Sequence, residues 1–158
     1  MSRRPILYKM DASPPARAVI MVAEILDLSI DLKDLNPLLR EQDAPEFVKV
    51  PTYGGKLTEM TQSQIKKIVH AYSILDAYLR DTLYVADDLI TIADISIIST
   101  MGSLNGLHPV NESFPNLKRW METMNEYHYC KKINTPGAEM HVYSLKACME
   151  FNGQKSKL

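Results

Sequence analysis

One serine at a helix start, four histidines and two cysteines are the places where this chain could carry chemistry. Ser13 opens the stretch "SPPARAV". It is well suited to cap a helix, and Pro14 and Pro15 suit the first turn, where a missing N–H had no partner to lose. A hydroxyl at such a helix start can also donate a hydrogen bond to an anion, helped by the positive end of the helix dipole, although most serines there act only as caps. His70, His108, His128 and His141 share no metal-ligand spacing, so each reads as a surface or packed imidazole and no metal is implied. Cys130 and Cys148 lie in helical surroundings without a C-x-x-C pattern, which points to plain thiols rather than a disulfide framework or a zinc site.

The elements that must position these residues can be read along the chain. "PILY" (5–8) reads as a short strand. A helix then begins at Ser13, with Ala18, Val22 and Ile25 on one face and Val19 and Leu26 beside them. "SIDLKDL" alternates Ile30 and Leu32 with Asp31 and Lys33, giving a second strand, and strand–helix–strand at this length is a parallel βαβ unit. The polar loop "NPLLREQDAPEF" and the stretch "EFVKVPTYGGKLTEM" follow. Beyond about residue 60 the period is helical, with a stripe of Ile65, Ile68, Val69, Tyr72, Leu75 and Leu79. "TIAD" predicts a capping box, Thr91 with Asp94 three residues on, opening a nearly all-buried helix with Ile90 and Ile95 as the hydrophobic staple. "FPNLKRWMETM" and "GAEMHVYSLKACMEF" are two further helices.

The 158 residues suffice for one ordinary domain or two small layers sharing a core. A net charge of −1, from 18 basic and 19 acidic residues spread along the chain, leaves no electrostatic footprint for nucleic acid or an anionic membrane surface. No apolar run has the length of a spanning helix or a secretory core, so a cytoplasmic protein is expected.

Taken together, "PILYKMDASPPARAV", "YVADDLITIADIS" and "FPNLKRWMETM" resemble, in order, the first strand and helix start, the capped central helix and the helix after it in the insect delta and epsilon classes of cytosolic glutathione S-transferase. The resemblance implies an α/β plus all-α fold, here a partial thioredoxin-like βαβ unit over 1–50, a join over 51–60 and a helical domain over 61–158. Val50-Pro51-Thr52 matches the family's cis-proline loop, whereas "YGGKLTEMTQSQIKKIVHAY" resembles a hinge late in its helical domain. The third and fourth strands and the third and fourth helices that should lie between them are absent, so the chain is expected to lack an internal block, with Pro51 on the linker side.

The resemblance also implies a function. Glutathione's thiol, with an ordinary pKa near ~8.5, must react as thiolate, and the family gives the stabilising hydrogen bond to the serine of its S-P-P start, here Ser13. Tyr8 is the rival, since other classes use a tyrosine near the end of the first strand; we rank it second because a tyrosine there is more often packed in the sheet. Pro15 and Leu35 match positions lining the acceptor site in relatives. Glutathione is expected as co-substrate, a small apolar electrophile as second substrate, and no metal or other cofactor. No acidic-residue-plus-serine pair for the γ-glutamyl end stands at a suitable place, so weak or absent activity is expected, together with loss of the family's homodimer. The alternative from another class is a non-catalytic protein-interaction module.

Overall fold

The computed structural model describes residues 4–35 and 59–155, with side chains to residue 151. The expected join at Val50, Pro51 and Thr52 lies outside these residues. Strand β1 (Ile6–Lys9), helix α1 (Pro14–Ile25) and strand β2 (Asp31–Asp34) form the α/β start, and the strands pair in parallel with Ile6 opposite Asp31 and Lys9 opposite Asp34. Helices α2 (Gln62–Tyr78), α3 (Ile92–Leu107), α4 (Pro115–Glu126) and α5 (Thr135–Lys155) follow, with a π-helical turn, Cys130–Asn134, leading into α5. No described helix is long and apolar enough to cross a membrane.

Among the described residues the core lies among the helices and reaches α1 through Met21, which belongs to the same buried cluster as Ile95, Ile98, Trp120 and Met124 and lies against Cys130. The face of α1 that is buried differs from the one the apolar spacing suggests. Val19 and Ile25 are about half exposed, while Ala16, Arg17, Met21 and Ala23 are buried. Small residues let α1 approach α3 closely, and Arg17 is carried inside because α3 and the π-helical turn offer it acceptors. Helix α3 is likewise only partly buried: Ile95, Ile98 and Met101 are inside, but Ile92 is 73% exposed.

Three polar devices fix the helices. Asp94, fully buried, accepts from the Thr91 N–H at 2.8 Å and Thr91 Oγ1 at 3.0 Å, the predicted capping box, and also from the Val85 N–H and Trp120 Nε1, both at 2.9 Å. Phe114 cannot cap α4, so Asp76 of α2 accepts from the N–H groups of Asn116 and Leu117 instead. Arg119 of α4 in turn caps the C-terminal end of α2, donating to the carbonyls of Leu79 and, just beyond it, Thr82. Neither cross-helix cap has a signature in local sequence, because the donor and acceptor stand about forty residues apart.

Candidate active site

The β1–α1 turn presents Ser13 at the N-cap of α1 with extended backbone, φ −76° and ψ 116°. Its N–H donates to the Met10 carbonyl at 2.8 Å, and its own carbonyl accepts from the Arg17 N–H at 3.0 Å. The hydroxyl makes no capping hydrogen bond and has no partner among the described residues. The backbone contributes less than a generic helix start would. Pro14 and Pro15 occupy the first two helical positions, so two of the four end donors do not exist, and the Ala16 N–H is the first one left. Whatever anion sits here must lean on the Ser13 hydroxyl.

Tyr8 is on β1, 43% exposed, with the Lys33 ammonium of β2 lying 5.5 Å from its ring centroid. Pro15 lines an apolar groove of about 610 Å³ between α1 and the start of α3, together with Val19, Val22, Leu28, Ile92 and Ile95. Ser13 is not in that lining. Leu35, half-buried just past β2, lies apart from it as well, its N–H extending the strand pairing to the Lys9 carbonyl at 2.8 Å. The structure therefore brings Pro15 to an apolar surface two residues from Ser13, and leaves Leu35 on the sheet.

Sequence reasoning missed Arg17. All five guanidinium donors are used: Nε on Asn134 Oδ1 at 3.0 Å, Nη1 on the carbonyls of Ala12 at 2.7 Å and Asp11 at 3.4 Å, and Nη2 on the Ser99 carbonyl and on Ser103 Oγ at 2.9 Å. None of these acceptors is a carboxylate, and burial pushes the group down to about 10. Arg17 thus ties the two residues ahead of Ser13 to α3 and to the π-helical turn. Gly137 makes room for it, since a Cβ there would stand 2.4 Å from Arg17 Cδ and from the Asp11 carbonyl oxygen. The one sequence signal for this was an arginine amid the small residues of "PPARAV".

Of the cysteines, Cys130 is buried against Met21, and burial pushes its thiol up to about 12, which keeps it protonated and unreactive. Cys148 is exposed on α5. Among the described residues no group of three His, Cys, Asp or Glu could hold a metal ion.

The family model for the glutathione S-transferase C-terminal domain matches residues 34–127, more than half of the chain. The chain belongs to the glutathione S-transferase family. Among curated relatives, glutathione S-transferase 1 of Manduca sexta is 23% identical over 204 residues, covering 85% of this chain and 94% of the relative. Glutathione S-transferase D6 of Drosophila melanogaster is 28% identical over 211, covering 92% and 95%. A solved glutathione transferase homologue from Drosophila mojavensis, with bound glutathione, superposes with a TM-score of 0.81 at 26% identity, over 91% of this chain and 97% of that one. An epsilon-class enzyme from the housefly, at 23% identity and TM-score 0.81, shares the fold. The 158 residues cannot fill an alignment of 204 positions that covers nearly all of the Manduca relative, so at least 46 of those positions have no counterpart here. This glutathione S-transferase is of the insect delta/epsilon type and lacks an internal segment.

Proposed function

We propose that this glutathione S-transferase joins the thiolate of glutathione to small, largely apolar electrophiles, a detoxification chemistry, with Ser13 stabilising the sulfur anion. The observation that supports it is the hydroxyl of Ser13: it stands at a helix N-cap with no partner among the described residues, where an ordinary cap serine would be spent on the helix itself. A donor of that kind can hold a thiolate while the positive helix end favours the charge. The sulfur then attacks the electrophilic carbon of, for example, an aryl halide; a C–S bond forms, halide leaves with the bonding pair, and the thiol proton passes to solvent. Pro15 and Leu35 are assigned to the apolar side of the electrophile, and the groove beside Pro15 supports its part. Few anchors for the rest of the tripeptide remain in this reading, so binding is weak and turnover slow, because remote contacts are what position the thiol.

The test is conjugation of glutathione to a generic aryl halide by the full chain and by Ser13→Ala. Loss of most of the activity in the variant is expected, with Tyr8→Phe nearly unaffected. Equal turnover in wild type and Ser13→Ala sinks the assignment, and a larger loss in Tyr8→Phe moves the role to that residue. If the wild type shows no glutathione-dependent conjugation at all, the non-catalytic interaction module is the better account.

A further inference from the structure

The hydrogen bonds around Arg17 do not stop at the residues it touches. Ser103 Oγ accepts from Arg17 Nη2 at 2.9 Å and lies 3.0 Å from His141 Nδ1 on α5. The proton directions follow from what each group can do. Arginine only donates, so Ser103 Oγ is the acceptor in the first contact, and its single hydrogen is left for the second. A neutral imidazole with its proton on Nε2 accepts that hydrogen at Nδ1, whereas an Nδ1–H would donate to the second lone pair of the same oxygen; the first arrangement is the one that links the three groups donor to acceptor. At the other end, Arg17 Nη1 holds the carbonyls of Asp11 and Ala12, the two residues preceding Ser13. A continuous chain thus runs from α5 through α3 and α1 to the turn that carries the hydroxyl.

We propose that Arg17 is a positioning residue for Ser13 and that His141 is the proton-sensitive end of the same chain, so that protonating His141 loosens the β1–α1 turn. Protonation would turn His141 Nδ1 from acceptor to donor, so the Ser103 O–H would lose that acceptor and its oxygen would receive both His141 Nδ1–H and Arg17 Nη2–H. It would also place a second positive charge beside a buried guanidinium that no carboxylate neutralises.

The surroundings supply little relief. Helix α3 has a single charged residue, Asp94, at its far end and committed to Trp120 and Thr91. In the β1–α1 turn, Asp11 is paired with Lys9; on the π-helical turn, Lys131 pairs with Glu126 and Lys132 with Glu24. On α5 itself Glu139 and Lys146 line the groove toward α4. Burial first, and then the Arg17 charge, hold the His141 imidazole below its usual range.

As a role in catalysis this inference rests on the Ser13 reading, but the coupling can be measured without any activity. In the full chain, nitrogen-resolved NMR would follow the amides of Ala12 and Ser13 while the His141 imidazole is titrated. Both amides are expected to shift with the midpoint of His141, below the ordinary histidine value, and to lose that inflection in Ser103→Ala, which keeps both end groups but cuts the link. Amides of Ala12 and Ser13 that ignore His141 in wild type, or an inflection that persists in Ser103→Ala, would overturn the proposal. Where conjugation is measurable, its pH profile should lose the same inflection in Ser103→Ala, an effect that a loss of stability alone does not produce; a retained inflection counts against the proposal. Full activity of Ser13→Ala alongside intact amide coupling would overturn the Ser13 assignment and, with it, the catalytic meaning of the chain, leaving the coupling established. Broken coupling alongside an inactive Ser13→Ala would do the reverse.

Discussion

Asp94→Ala should be among the most damaging single changes available in the helical domain. The carboxylate is fully buried and receives four hydrogen bonds: from the Thr91 N–H and hydroxyl, the Val85 N–H and Trp120 Nε1. Truncation removes a helix cap, by itself about 1 kcal/mol. It also strands the Trp120 N–H in the core and the Val85 N–H at its edge, and an unsatisfied buried donor costs about 1–3 kcal/mol. Against this stands the relief of no longer burying a carboxylate without a cation, which returns part of the loss. The net expectation is about 3 to 5 kcal/mol, a large share of the ~5–15 kcal/mol that holds an ordinary domain together. Thr91→Ala, which leaves the Trp120 and Val85 contacts in place, should cost only about 1 kcal/mol. Urea unfolding followed by helical circular dichroism and by the fluorescence of the single tryptophan would measure both. A midpoint for Asp94→Ala no lower than that of Thr91→Ala would refute the claim that the carboxylate serves the core as well as the cap.

Gly137→Ala should destabilise the chain by about 2 kcal/mol or more and reduce conjugation, since the new Cβ meets the Asp11 backbone oxygen and Arg17 Cδ, both at 2.4 Å; unchanged urea unfolding would show that the turn shifts freely. His141 is neutral in the fold and its folded pKa is depressed, so between that value and about 6.5 the unfolded chain binds more protons; stability should therefore fall as pH drops below about 6.5, and His141→Gln should flatten that part of the urea-midpoint profile. Amides of β1 and β2, strands that are mostly exposed and paired only with each other among the described residues, should exchange faster than those of α3, which hydrogen-exchange mass spectrometry would read directly. Sedimentation of the purified chain should show no dimer that glutathione stabilises; a clean one would mean that the remaining segments rebuild the family interface.

Much of the architecture was legible because it is written in local signals. The S-P-P helix start, the Thr91–Asp94 capping box and the helical stripe through Tyr72 and Leu79 depend on neighbours within a turn or two, and each appears where its residues predict. The parallel pairing of β1 and β2 followed from an intervening helix of the right length. What the sequence could not say is which face of α1 turns inward. Val19 and Ile25 had the hydrophobicity, but Arg17 is the buried residue, because a guanidinium can enter a core only where five acceptors converge on it. Those acceptors come from the turn ahead of Ser13, from α3 and from Asn134, up to 117 residues away. The caps that Asp76 and Arg119 provide across α2 and α4 escaped for the same reason. Hydrophobic periodicity describes a helix on its own, whereas satisfying a buried polar group is a property of several segments at once, and only the tertiary structure decides where they meet.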